Sequence, residues 1–136
     1  MNNVLSSVNA HNEEGLLKTD LRVEEFSLIA DEPLIYGGSN LGPSPADYLC
    51  MALASCQAIT LRLYAKRKGW PLEGIDVKVD FVKGDSLPGG QNTFFVELFF
   101  TAALTGEQQK RLLEIARACP VHKLLSKPNE VVTVIK

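Results

Sequence analysis

The stretch SPADYLCMALASCQAITLRLYAKRKG, residues 44–69, decides the fold. Ser44 is suited to cap a helix, Pro45 has its φ preset for a first turn, and Asp47 completes a capping box. Leu49, Ala52, Leu53, Cys56, Ile59, Thr60 and Leu63 recur every three to four residues, the period of one helix face. Cys50, Met51, Ala54, Ala58 and Leu61 fill the other positions, so the first half is apolar nearly all round. A helix of that kind is buried on most sides, in a domain core or at a subunit interface. Lys66, Arg67 and Lys68 suit the negative end of its dipole, and Gly69 with Pro71 stops it. The spacing predicts a helix of about 22 residues through the centre of the protein.

Outward from that helix the pattern changes. On the N-terminal side, residues 31–45 hold three prolines and three glycines and read as loop. Before them, Leu21 and Val23, then Phe26, Leu28 and Ala30, alternate as one or two strands with a slip between Glu24 and Glu25. On the C-terminal side Ile75, Val77, Val79 and Phe81 alternate with Asp76, Lys78 and Asp80, a strand with one wet face. A polar turn over residues 83–93 leads to a partner strand over residues 94–102. Thr105 and Gln108 make a second capping box, opening a helix that Pro120 interrupts. Residues 121–126 suit a short further helix, and residues 131–135 a final strand. The expected order, β-α-β-β-α-β, is α+β: a mostly antiparallel sheet packed with a long buried central helix and a second helix. One domain over residues 1–136 is expected, without repeats or linkers.

Composition excludes several classes. The 136 residues are 46% hydrophobic and 22% charged, as in a folded domain with a real core. A net charge of −2 gives no electrostatic footprint for nucleic acid or an anionic membrane. The uncharged run over residues 49–61 falls short of the ~20 residues that span a bilayer. Residues 1–15 lack Lys and Arg and carry Glu13 and Glu14, unlike a secretory signal, so a cytoplasmic protein is expected.

The three cysteines carry the chemistry. They are too few and too widely spaced for a disulfide scaffold, and no CxxC is present. Cys56, ringed by Ala52, Ala54, Ser55 and Ala58, reads on position alone as a small core hydrophobe. Cys119 precedes Pro120 and can cap the turn that follows. There the free amides, with Arg117, His122 and Lys123 nearby, favour a thiolate. Cys50 and Cys56 lie about 9 Å apart along one helix, too far to pair. Cys56 and Cys119 can meet only if their helices pack together. Cys119 and His122 have metal-like spacing but no second pair, so neither a metal nor another cofactor is expected.

A family resemblance rests on several runs in order: Asp31-Glu32-Pro33, Gly37-Gly38, Gly42-Pro43-Ser44-Pro45, and the helix through Ala52-Leu53-Ala54-Ser55-Cys56. Thr60-Leu61-Arg62-Leu63-Tyr64-Ala65, Lys68-Gly69-Trp70-Pro71-Leu72 and Cys119-Pro120-Val121-His122-Lys123 continue it. The chain resembles the OsmC/Ohr family, the osmotically induced and organic hydroperoxide resistance proteins, over residues 31–136.

That resemblance implies a thiol peroxidase of oxidative-stress defence, built as an intertwined homodimer. Cys56 would attack the peroxide and become a sulfenic acid, Cys119 would condense with it to a disulfide, and an external dithiol would reduce the pair. Arg22, the one arginine before the helix, is the expected partner of the thiolate, with Asp47 orienting it. Ala46 stands where the hydroperoxide resistance proteins carry a glutamate, which marks a looser OsmC-like member. The other reading is a non-catalytic protein that binds a small hydrophobic ligand in the dimer cleft.

Overall fold

A computed structural model describes residues 3–136, and the chain divides after Leu49 into two compact units. In the first, three short strands pair antiparallel in the order β1 (Asn9–Asn12), β2 (Thr19–Val23), β3 (Phe26–Ala30). β2 and β3 are the two expected strands. Their slip is a tight turn: Val23 pairs with Phe26, and Glu24 takes a left-handed φ of 51° to close it. One face of the sheet carries Asn9, His11, Asp20, Arg22, Ser27 and Ile29, and is largely polar.

The proline- and glycine-rich segment that follows is organised around Asp31, which is only 2% exposed. Its carboxylate accepts the amides of Glu32 at 2.7 Å, Leu41 at 3.1 Å and Ser39 at 3.3 Å. The chain wraps so tightly that a Cβ at Gly38 would lie 1.9 Å from the Glu32 carbonyl oxygen, so no larger residue fits. A single 3-10 turn, Leu34–Tyr36, lies inside this segment. Tyr48, in the first turn of α1 (Pro45–Lys68), donates its hydroxyl to the Ile29 carbonyl at 2.7 Å.

In the second unit Leu61, Tyr64 and Ala65 of α1 form a core with Leu72 and with Leu112 and Ala116 of α2 (Gly106–Arg117). Leu61 and Leu112 are wholly buried; each contributes roughly 1.5–3 kcal/mol relative to exposure. β4 (Gly74–Val82) and β5 (Thr93–Thr101) form an antiparallel hairpin whose inner residues, Ile75, Leu98 and Phe100, pack on that core. The Arg62 guanidinium donates to the Leu72 and Glu73 carbonyls, pinning the turn between α1 and β4. Thr105 and Gln108 exchange the reciprocal bonds of a capping box at the start of α2.

Three expectations need correction. The sheet is two separate sheets, and the observed order is β-β-β-α-β-β-α-α. Residues 131–135 form no strand: their alternating, β-branched pattern finds no edge to pair with in the chain, and Val131 and Ile135 stay exposed. Finally, α1 runs for 24 residues, long and apolar enough to cross a bilayer by length and composition. The uncharged run understated it because charges near the helix ends leave the middle apolar. The core helix of a globular domain meets the same description, and Leu53, Gln57, Leu61, Tyr64 and Ala65 of α1 are buried.

Candidate active site

The second unit brings two of the expected residues together. Pro120 cannot continue α2, so the chain turns at Ala118 and restarts as α3 (Pro120–Leu125), with Cys119 as its N-cap. Cys119 is wholly buried, and its Sγ accepts the His122 amide at 3.2 Å. Cys56, half-buried on α1, is close enough to act on the Cys119 thiol. The two sulfurs are not joined by a disulfide.

The Cys119 environment reverses the expected electrostatics. Burial pushes its thiol above the ordinary cysteine range, and the hydrogen bond and charge of Cys56 push the same way. The amides of His122 and Val121 pull it down but do not prevail. Position at a helix start favours a thiolate; desolvation outweighs it here. Cys119 therefore holds its proton more tightly than an ordinary cysteine.

A cavity of about 500 Å³ is lined by residues of α1, β5 and α3. Leu53, one turn before Cys56, and His122, one turn after Cys119, line it with Phe94 and Val96 of β5. Gln91, Asn92 and Ser126 give it a polar rim. Between Leu53 and Leu61 on the buried stripe of α1 lies Gln57, 2% exposed, whose Oε1 accepts no hydrogen bond among the described residues. Gln57 was passed over in the sequence, although a lone polar residue at helical spacing within an apolar stripe was its signal. His122 was read there only as a cation near Cys119 and as half of a metal-like spacing, whereas it lines the cavity.

Arg22 and Asp47 belong to the first unit. Arg22 is exposed on the polar face of β2 and lines a cavity of about 460 Å³ with His11, Asp20 and Ser27. Among the described residues it makes no ion pair. Asp47 serves the start of α1: its Oδ2 accepts the Ser44 amide at 2.9 Å, while its own amide donates to Ser44 Oγ at 3.2 Å. Among the described residues no cluster of three His, Cys, Asp or Glu side chains is placed to hold a metal ion.

Comparison with known proteins gives the class. The family described as OsmC-like protein matches residues 37–134, across the division between the units, and the chain belongs to that family. Solved structures share the fold. An OsmC-like protein from Mycoplasma pneumoniae superposes with a TM-score of 0.74 at 17% identity, covering 91% of this chain and 89% of that one. An organic hydroperoxide resistance protein OsmC from Legionella pneumophila gives 0.65 at 18% identity, covering 92% and 91%. OhrB, an organic hydroperoxide resistance protein of Bacillus subtilis, gives 0.61 at 20% identity, covering 89% and 90%. No curated protein matches the sequence significantly.

Proposed function

We propose that the protein is a cysteine-based peroxidase reducing organic hydroperoxides to alcohols in defence against oxidative stress. The observation that carries this reading is the neighbouring pair of Cys56, partly exposed, and Cys119, wholly buried with its thiol pushed above the ordinary range. A peroxidase of this kind needs one accessible sulfur to meet the peroxide and a second, sheltered from it, to trap the product. Cys56 attacks the O–O bond, the alcohol leaves, and Cys56 becomes a sulfenic acid. Cys119 then displaces water to form a disulfide, which an external dithiol reduces. The names of the solved relatives point the same way.

Arg22 is the proposed cation for the Cys56 thiolate, and Asp47, whose Oδ1 is not used by the Ser44 cap, the carboxylate orienting it. Arg22→Ala should slow peroxide reduction at pH 7 by about tenfold or more, near 1.4 kcal/mol per factor of ten. An unchanged rate would assign the cation elsewhere. We place the protein in the cytoplasm, as a homodimer of one OsmC-like domain over residues 1–136. Ile59 and Leu63 of α1 are exposed at 61% and 64%, and Ile135 fully, which is apolar surface a second copy would cover. A dimer burying more than about 2,000 Å² follows, and sedimentation as a monomer at low micromolar concentration would contradict it.

The second reading is a protein that binds a small hydrophobic ligand without reacting. Ala46 in place of the family's glutamate, with Asp47 engaged as a cap, favours it. Thiol titration before and after one equivalent of cumene hydroperoxide separates the two. The peroxidase loses two thiols per chain; the binding protein loses none.

A further inference from the structure

We propose that the basic cluster around Tyr64, formed by Arg67 and Lys68 of α1 and Arg111 of α2, binds the phosphate groups of a small phosphorylated molecule. The cluster lies wholly in the second unit, about 12 Å along α1 from Cys56 at ~1.5 Å per residue. It is independent of the thiol chemistry.

Three cations converge on one ring. The guanidinium carbons of Arg67 and Arg111 lie 5.2 and 5.6 Å from the Tyr64 ring centre, and Lys68 Nζ lies 5.8 Å from it. Tyr64 is only 6% exposed, whereas Arg67, Lys68 and Arg111 are exposed, so the ring is a floor and the charges form its rim. The chain carries a net charge of −2, yet among the described residues Glu114 alone pairs with a member of the cluster, at 2.9 Å from Arg111 Nη1. Arg67 and Lys68 take part in no ion pair among the described residues. The end of α1 does not explain them by itself. The amides of Gly69 and Trp70 already cap it, donating to the Lys66 and Ala65 carbonyls at 3.2 and 3.0 Å, and Arg111 is supplied by another helix.

Arg111 is also held in position. Its Nε donates to the Tyr64 hydroxyl at 3.0 Å and its Nη1 to Glu114, while Nη2 donates to nothing among the described residues. A guanidinium edge is thus left open near a second guanidinium and an ammonium. Two forks and a point charge suit a phosphate, with its roughly two negative charges and three acceptor oxygens. A carboxylate would neutralise only one of the three cations. The cluster is too small to track a polyanionic chain, and a buried ring offers no face on which to stack a base. Recognition therefore rests with the phosphates and not with the group that bears them. A second copy covering Ile59 and Leu63 leaves the cluster open, because Tyr64 is turned about 100° from Leu63, toward Leu112 and Ala116 of α2.

The test is equilibrium dialysis of the full chain against radiolabelled pyrophosphate at low ionic strength. Saturable binding of one pyrophosphate per chain is expected. Arg67→Gln and Lys68→Gln should each weaken it about threefold or more, and Glu114→Gln, which removes the competing carboxylate, should strengthen it by a similar factor. Both cations are exposed, and circular dichroism checks that these variants keep the fold. Lys66→Gln removes the same charge from the same helix end but outside the cluster, and should leave binding within about twofold of the parent. Unlabelled ADP should displace the label at about the same concentration as unlabelled pyrophosphate, within roughly threefold. No saturable binding, an equal loss in Lys66→Gln, or displacement by an oligoglutamate peptide as effective as by pyrophosphate overturns the proposal. Failure of ADP to displace confines the site to free pyrophosphate and overturns it as well.

Discussion

Asp31 in the first unit and Cys119 in the second are both buried acids that accept backbone amides, yet their acidities move in opposite directions. The amides of Leu41, Glu32 and Ser39, with Lys18 at longer range, hold the Asp31 carboxyl below the usual range against the cost of burial. Cys119 offers one sulfur, a weaker acceptor, to two amides, and burial prevails. A buried acid stays charged where its donors outweigh what desolvation takes away. Asp31 is accordingly a fixed anion that organises a loop. Cys119 is a proton-bearing thiol waiting beside Cys56.

The largest effect that would break this contrast lies in the two cysteines. Cys56→Ser should lower hydroperoxide consumption at least about a hundredfold, roughly 2.7 kcal/mol. Cys119→Ser should complete one turnover and stall at the sulfenic or sulfinic acid. Steady turnover of Cys119→Ser at the parent's rate would leave the buried thiol without a part in resolution.

A smaller effect sharpens it. In a Cys56→Ser protein, burial still keeps the proton on Cys119, so iodoacetamide should alkylate it at pH 7 about tenfold more slowly than in the urea-unfolded chain. The rate should climb only above the ordinary thiol value near 8.5. A profile bending at or below that value would make Cys119 resemble Asp31 after all.

The smallest effect is one of stability. The folded Asp31 value is depressed, so its contribution is present above the unfolded carboxyl value near 3.9 and fades as pH falls through the folded one. Asp31→Asn should melt several degrees below the parent at pH 7, and the gap should narrow in thermal scans below about pH 4. A gap constant with pH would assign the loss to packing instead of charge.

Much of the scaffold was legible because its signals are local or periodic. The α1 start at Ser44 and Pro45, the hairpin from Ile75 onward and the Thr105 capping box each depend on residues within a few positions. What failed depended on partners distant in sequence. β1 (Asn9–Asn12) holds three polar residues and one alanine, with no apolar alternation to betray it; it is a strand because β2 supplies a ladder. Residues 131–135 have the alternation and no ladder. Asp31 was quoted as one residue of a run, whereas its role comes from amides eight and ten residues away. In the site, the nature of each thiol was readable, but the meeting of Cys56 with Cys119 was only conditional. The balance between amides and burial at Cys119 is a property of the folded interior.

The lone tryptophan, Trp70, stands edge-on to Tyr64 with ring centroids 5.4 Å apart, against the core of the second unit. Its emission therefore reports on that unit alone, since the first unit has no tryptophan. Far-ultraviolet dichroism, by contrast, averages over every strand and helix of the chain. Followed together through a urea titration, the two signals measure how tightly the halves are coupled. Coincident midpoints mean that the chain unfolds as one cooperative body, and separated midpoints mean that each half melts by itself.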